Sequence, residues 1–140
     1  MAIKSIFPEE MMEDKGTTLT LETIGASLSY FYEELHLLHF QTTSYAEHGA
    51  LGIIYDKVGD FQDEIIEKIM GYTGKRIKAY KIEPLKDYSS SMPNQVVKEL
   101  IKFASDLEEF GEDNNMPDIE NIAQSLSGEA SQTLYRLSLK

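Results

Sequence analysis

Apolar residues recur along this chain at steps of three and four, the rhythm of helices with one buried face, and no stretch alternates convincingly enough to make a strand. Thr20 is placed to cap a first helix whose apolar positions are Ile24, Leu28, Phe31, Leu35 and Leu38. After Gln41-Thr42-Thr43, the run Ser44-Tyr45-Ala46-Glu47 has the Ser-x-x-Glu form of a capping box and predicts the start of a second helix. Its stripe reads Leu51, Ile54, Val58, Phe61, Ile65, Ile69 and Tyr72, with Gly71 and Gly74 as stop signals. From Lys75 to Met92 the pattern breaks, and Pro84 and Ser89-Ser90-Ser91 mark a connection with room for one short helix around Leu85 to Tyr88. Pro93 opens a third helix through Val97, Leu100, Ala104 and Leu107, ended near Gly111. Pro117 opens a fourth through Ile119, Ile122, Leu126, Ala130, Thr133 and Leu137.

Four such helices with one long connection predict an all-α four-helix bundle whose order is not simply up-down-up-down. A chain of 140 residues fits one domain, 1–140, with 1–18 as an extended N-terminal segment. The first helix carries more apolar surface than one buried face needs. Tyr30, Tyr32, Leu37 and Phe40 spread away from its core stripe, so either copies of the chain associate over that side or the long connection covers it.

Composition narrows the chemistry. There is no cysteine, so disulfides and thiolate ligands are excluded and any metal must be held by His, Asp or Glu. A net charge of −11 repels nucleic acid. The first fifteen residues, with only Lys4 and Lys15 against Glu9, Glu10, Glu13 and Asp14, make a poor DNA-binding arm. No apolar run is long enough to span a bilayer and no secretory h-region opens the chain, so the expectation is a soluble, cytoplasmic protein.

On the second helix Asp56, Asp60, Asp63 and Glu67 form an acidic stripe opposite the apolar one. The three histidines, His36, His39 and His48, all fall in the first hairpin. Glu33 and His36 have a Glu-x-x-His spacing, but both point away from the core and no second copy of the motif exists. His39 and His48 combined with Asp63 and Glu67 make a sharper candidate, since imidazole with carboxylate suits iron or zinc. One subunit cannot build that site. His48 and Asp63 lie on one helix about 22 Å apart at ~1.5 Å per residue, so the histidines of one chain must meet the carboxylates of another across a two-fold axis.

These residues carry a family resemblance. His39-Phe40, His48 and Asp63-Glu64-Ile65-Ile66-Glu67-Lys68 resemble the ferroxidase signature of Dps-type miniferritins, and Leu28–Leu38, Gly71–Lys75 and Leu85-Lys86-Asp87-Tyr88 are similar to that family's first helix, helix end and short connecting helix. The resemblance implies a ferritin-like bundle and His39, His48, Asp63 and Glu67 as ligands of a non-haem iron between two-fold related subunits. It also implies assembly into a homo-oligomer such as a dodecamer, with Fe(II) oxidation by hydrogen peroxide or oxygen and iron storage.

The sequence departs from the signature at Gly52, where the family has a further acidic ligand, at Phe40 in place of its Trp, and in a shorter loop between the two histidines. The hairpin run from His39 to His48 resembles short Dps-like proteins of tailed phages. That origin would place the protein in the host cytoplasm and admits an alternative, a non-catalytic Dps-like structural or interaction protein with a degenerate metal site. A third possibility is an acidic helical adaptor that binds a basic partner through the stripe.

Overall fold

The computed structural model describes residues 18–139. The expected N-terminal segment therefore lies, apart from Thr18, outside the described residues. Four helices follow one another: α1 (Leu21–Gln41), α2 (Tyr45–Thr73), α3 (Met92–Asp113) and α4 (Pro117–Leu137). No strand occurs among the described residues.

Each helix starts and stops for a local reason. Thr20 and Thr23 close a reciprocal capping box on α1, the Thr20 hydroxyl taking the Thr23 N–H and the Thr23 hydroxyl taking the Thr20 N–H. On α2 the Ser44 hydroxyl accepts the Glu47 N–H, but the expected reciprocal bond is absent. The buried Glu47 carboxylate instead takes the Thr42 and Tyr88 hydroxyls, while the Ser44 N–H turns to Thr42 Oγ1. Gly74 ends α2 in the left-handed region at φ 71, where an L side chain would crowd its own carbonyl. Prolines stand in the first turns of α3 and α4, whose N–H groups have no intrahelical partner to lose.

The expected stripes meet in one core that includes Leu28, Leu35, Leu51, Ile65, Leu100 and Leu126, all fully buried. Tyr72 departs from the expectation: it is 44 % exposed, one residue before the helix ends and beyond the reach of the neighbouring helices' core.

Helices α1 and α2 form one antiparallel hairpin and α3 and α4 another, with α2 beside α4 and α1 beside α3. Ion pairs Lys57–Glu129 and Lys68–Asp118 fix α2 and α4 as antiparallel, and Phe31 packing on Phe103 marks the crossing of α1 with α3. The order is therefore up, down, down, up, and the connection from Gly74 to Ser91 must travel the length of the bundle.

It does so as an extended strap along α1, holding none of the short helix expected at Leu85–Tyr88. The strap's backbone explains the difference. The N–H groups of Lys78, Lys86 and Tyr88 donate to Glu22, Glu34 and Gln41 of α1, and Pro84 has none to give, so these groups are taken from any helical ladder there. Tyr80, hydrogen-bonded to Ser29, adds a further contact between strap and α1. The strap thus covers part of the outer apolar surface of α1, while Phe40 stays 67 % exposed.

Candidate metal centre

The hairpin turn between α1 and α2 brings the end of one helix against the start of the next, and with it His39 against His48. Their rings stack with centroids 3.8 Å apart and planes 17° from parallel. Each ring reaches the other residue's backbone: His39 Nδ1 lies 2.8 Å from the His48 carbonyl oxygen, and His48 Nδ1 lies 2.9 Å from that of His39. A carbonyl oxygen only accepts, so both Nδ1 atoms carry protons and donate. In the neutral rings the lone pairs then sit on Nε2 of both residues, the tautomer a metal-ligating histidine takes when a backbone carbonyl orients it.

Gly52 makes room for this clasp. A Cβ built there would stand 3.0 Å from Cε1 and 3.2 Å from Nδ1 of His39. The glycine that sequence reading treats as a missing acid is the residue that lets His39 lie this close over α2, and a side chain at that position would require the imidazole to give way by a few tenths of an ångström. The loop of few residues between the histidines has the same consequence, drawing the two rings together.

His36, expected to point away from the core, is half-buried between other rings, stacked on Tyr55 at 4.1 Å and against Phe40 at 4.4 Å. Glu33 is exposed, so the Glu-x-x-His spacing gathers no site. Tyr55 was not among the sequence candidates. Its signal was its place seven residues after His48, two helical turns along the same face. With Tyr32 edge-on to Tyr55, these rings form an aromatic surface along α1 and α2 that continues into Phe40 and the 89 % exposed Tyr45.

Beside it, His39, His48, Gly52, Tyr55, Asp56 and Asp60 line an open groove of about 490 Å³. Asp56, Asp60, Asp63 and Glu67 are all exposed, as expected, and none joins an ion pair among the described residues. Four unneutralised carboxylates on one helix face give a negative surface next to two nitrogen donors.

Among the described residues of one chain, no three His, Asp or Glu groups converge closely enough to hold a metal ion. His39 and His48 come together, whereas Asp63 and Glu67 lie further down α2, outside the groove lining. Within a single chain Asp56 and Asp60 share the groove with the two imidazoles, and Asp63 and Glu67 lie beyond it.

A second titratable cluster lies under the strap. Glu34 is fully buried, its Oε1 accepting the Lys86 N–H at 2.7 Å while Oε2 has no partner among the described residues. Burial pushes its carboxyl up against the pull of that hydrogen bond. Neighbouring Tyr30 is pushed up to about 12, first by burial and then by the nearby carboxylates Glu34, Glu99 and Glu83. This pair belongs to the attachment of the strap.

Comparison with known proteins adds kinship without chemistry. The sequence profile of a family described as "Family of unknown function (DUF5856)" matches residues 39–137, from His39 through the end of the last helix. The chain is also 28 % identical over 120 residues to the "Uncharacterized 14.6 kDa protein in mobD-ri intergenic region" of Enterobacteria phage T4, covering 86 % of each chain. No solved structure matches. No helix among the described residues is long and apolar enough to cross a membrane.

Proposed function

This chain belongs to the DUF5856 family, and we propose that it is a Dps-like miniferritin subunit with a ferritin-like bundle, in which Fe(II) binds between two-fold related copies. His39 and His48 of one copy and Asp63 and Glu67 of the other supply the ligands. The observation that carries this reading is the histidine clasp. Both Nδ1–H groups are spent on backbone carbonyls, which leaves Nε2 of both rings as the donors, with no third ligand converging on them among the described residues of the same chain. A site that is half-built in one chain and faces an acidic stripe suits completion by a second copy. The up-down-down-up order with a single long crossover supports the ferritin-like assignment, since that connectivity is the one ferritin-like bundles use.

Fe(II) is the substrate here. Two Fe(II) ions each give one electron to hydrogen peroxide, whose O–O bond breaks and takes up two protons to leave two waters and two Fe(III). Pairwise electron transfer avoids release of hydroxyl radical, and the ferric product is stored inside a closed homo-oligomer. The exposed rings of Phe40 and Tyr45, continuous with the half-buried Tyr55, support self-association as the way this face is covered.

Anaerobic Fe(II) titration of the native oligomer, followed by a peroxide pulse, tests the proposal. Saturable binding lost in Asp63→Ala and Glu67→Ala is the expected result; its absence in the unaltered oligomer removes the iron reading. A second reading, a non-catalytic Dps-like structural protein, draws support from the phage origin of the T4 relative. It expects assembly that is indifferent to metal and is broken by substitution of His36 or Tyr32.

A further inference from the structure

We infer that Asp60 of one protomer reaches the His39–His48 pair of its partner and supplies the carboxylate that position 52 of the partner, a glycine, does not carry. The inference rests on the inter-subunit reading above and adds a residue to it.

The outward stripe of α2 has two unlike halves. Its first half, Tyr45, Gly49 and Gly52, is uncharged and narrow at the two glycines. Its second half, Asp56, Asp60, Asp63 and Glu67, is acidic throughout. Stacked in parallel, two copies would oppose carboxylate to carboxylate along the acidic half. Antiparallel about an axis near Asp56, each acidic half lies on the uncharged half of the other copy, beside its imidazoles, and only the Asp56 pair meets its own kind.

Register then selects Asp60. Antiparallel helices pair in opposite directions, so an arrangement that sets His48 opposite the partner's Asp63 counts back from Asp63 to Asp60 while counting on from His48 to Leu51. The partner's Asp60 thus stands one residue, about 1.5 Å of rise, from the level of Gly52.

The groove wall supports the same choice. At position 52 a Cβ would lie 3.0 Å from His39, so any side chain there requires this imidazole to give way by a few tenths of an ångström, and the glycine itself brings no carboxylate. Asp56 and Asp60 both line the groove in the same chain, but among the described residues neither completes a three-group set with the histidines. A further carboxylate must therefore come from the partner, where the register brings Asp60 rather than Asp56 to the level of Gly52. The groove above Gly52 is open, about 490 Å³ in volume, and a partner carboxylate enters it from outside without displacing the clasp.

Co(II) titration of the native oligomer separates this inference from the reading beneath it, because the visible spectrum of Co(II) reports the number and type of its ligands. Asp60→Asn is expected to keep its native mass, to lose at least about tenfold in Co(II) affinity, as removal of even an outer-shell partner costs roughly 10–100-fold, and to change the band shape, with Asp60→Glu recovering part of both. Co-assembly of Asp60→Asn/Asp63→Ala chains with His39→Ala/His48→Ala chains is expected to restore binding in mixed dimers, where one of the two sites is intact. If Asp60→Asn binds Co(II) with unchanged affinity and spectrum while Asp63→Ala loses it, the role of Asp60 is overturned and the inter-subunit site stands. If the unaltered oligomer binds no Co(II), both are overturned.

Discussion

Glu34 of α1 and Lys86 of the strap meet at a hydrogen bond of 2.7 Å, from the Lys86 N–H to one carboxylate oxygen, while the other oxygen is buried with no partner among the described residues. A carboxyl in that position is better accommodated protonated, and burial raises its pKa accordingly. The stability it contributes is fully present below its unfolded value of about 4.5 and is lost as pH rises through the raised folded value. Glu34→Gln keeps the acceptor for Lys86 and does not titrate. The stability of the variant relative to the parent should therefore climb between pH 4 and pH 8, as read by urea unfolding across that range. Glu22, whose carboxyl is held low by the Lys78 N–H, changes stability in the opposite direction but is common to both proteins and cancels in the difference. A difference that stays flat with pH would show that the Glu34 carboxyl titrates normally.

Gly52→Ala separates helix stability from the histidine clasp. Alanine is favoured over glycine in a helix interior by about 1 kcal/mol, so the melting temperature should hold or rise. The added methyl nevertheless stands 3.0 Å from the His39 ring, which must give way by a few tenths of an ångström and so loosen its stacking on His48. Loss of the mutual ring-current shifts of the two imidazoles, together with weaker Fe(II) binding, is the expected signature by NMR and titration. Unchanged imidazole shifts in the variant would show that the clasp does not depend on this glycine.

At the other end of α2, Gly74→Ala forces an L residue to adopt φ 71. The expected cost is about 1 kcal/mol, seen as a drop of a few degrees in melting temperature. A melting temperature equal to the parent's would mean that α2 ends in some other way.

Phe40 and Tyr45 test the face on which assembly is proposed. Both are largely exposed in one chain, so Phe40→Lys and Tyr45→Lys should change monomer stability by no more than about 0.5 kcal/mol. If copies associate over this surface, sedimentation should show smaller assemblies in both variants, with helical content retained. Full-size assemblies in both would place the contact elsewhere.

Much of the fold was legible because its determinants are local. The caps at Thr20 and Ser44, the αL stop at Gly74 and the prolines opening α3 and α4 are each decided within a few residues, and the apolar stripes name the core almost residue for residue. The strap was misread at Leu85–Tyr88 because its conformation is set by acceptors on α1 some fifty positions away, which periodicity does not register. The site shows the same division. Sequence spacing singled out His39 and His48 and showed that they could not reach Asp63 in one chain. The clasp itself stayed hidden, because reciprocal bonds to backbone carbonyls leave no pattern in side-chain type. Gly52 read as a loss, since a glycine's value to its neighbour is visible only as space.

The strap also sets an order of events in folding. Within each hairpin the contacts are close in sequence, so the α1–α2 and α3–α4 units can form quickly and independently. The bonds that fasten the strap join residues 41 to 56 positions apart and must wait for a long loop to close. His39 and His48, nine positions apart, belong to the fast unit. The nitrogen half of the proposed site is thus ready while the second hairpin is still being delivered. Hydrogen exchange on the native protein should accordingly find the strap amides of Lys78, Lys86 and Tyr88 opening at lower cost than the interiors of the two hairpins it joins.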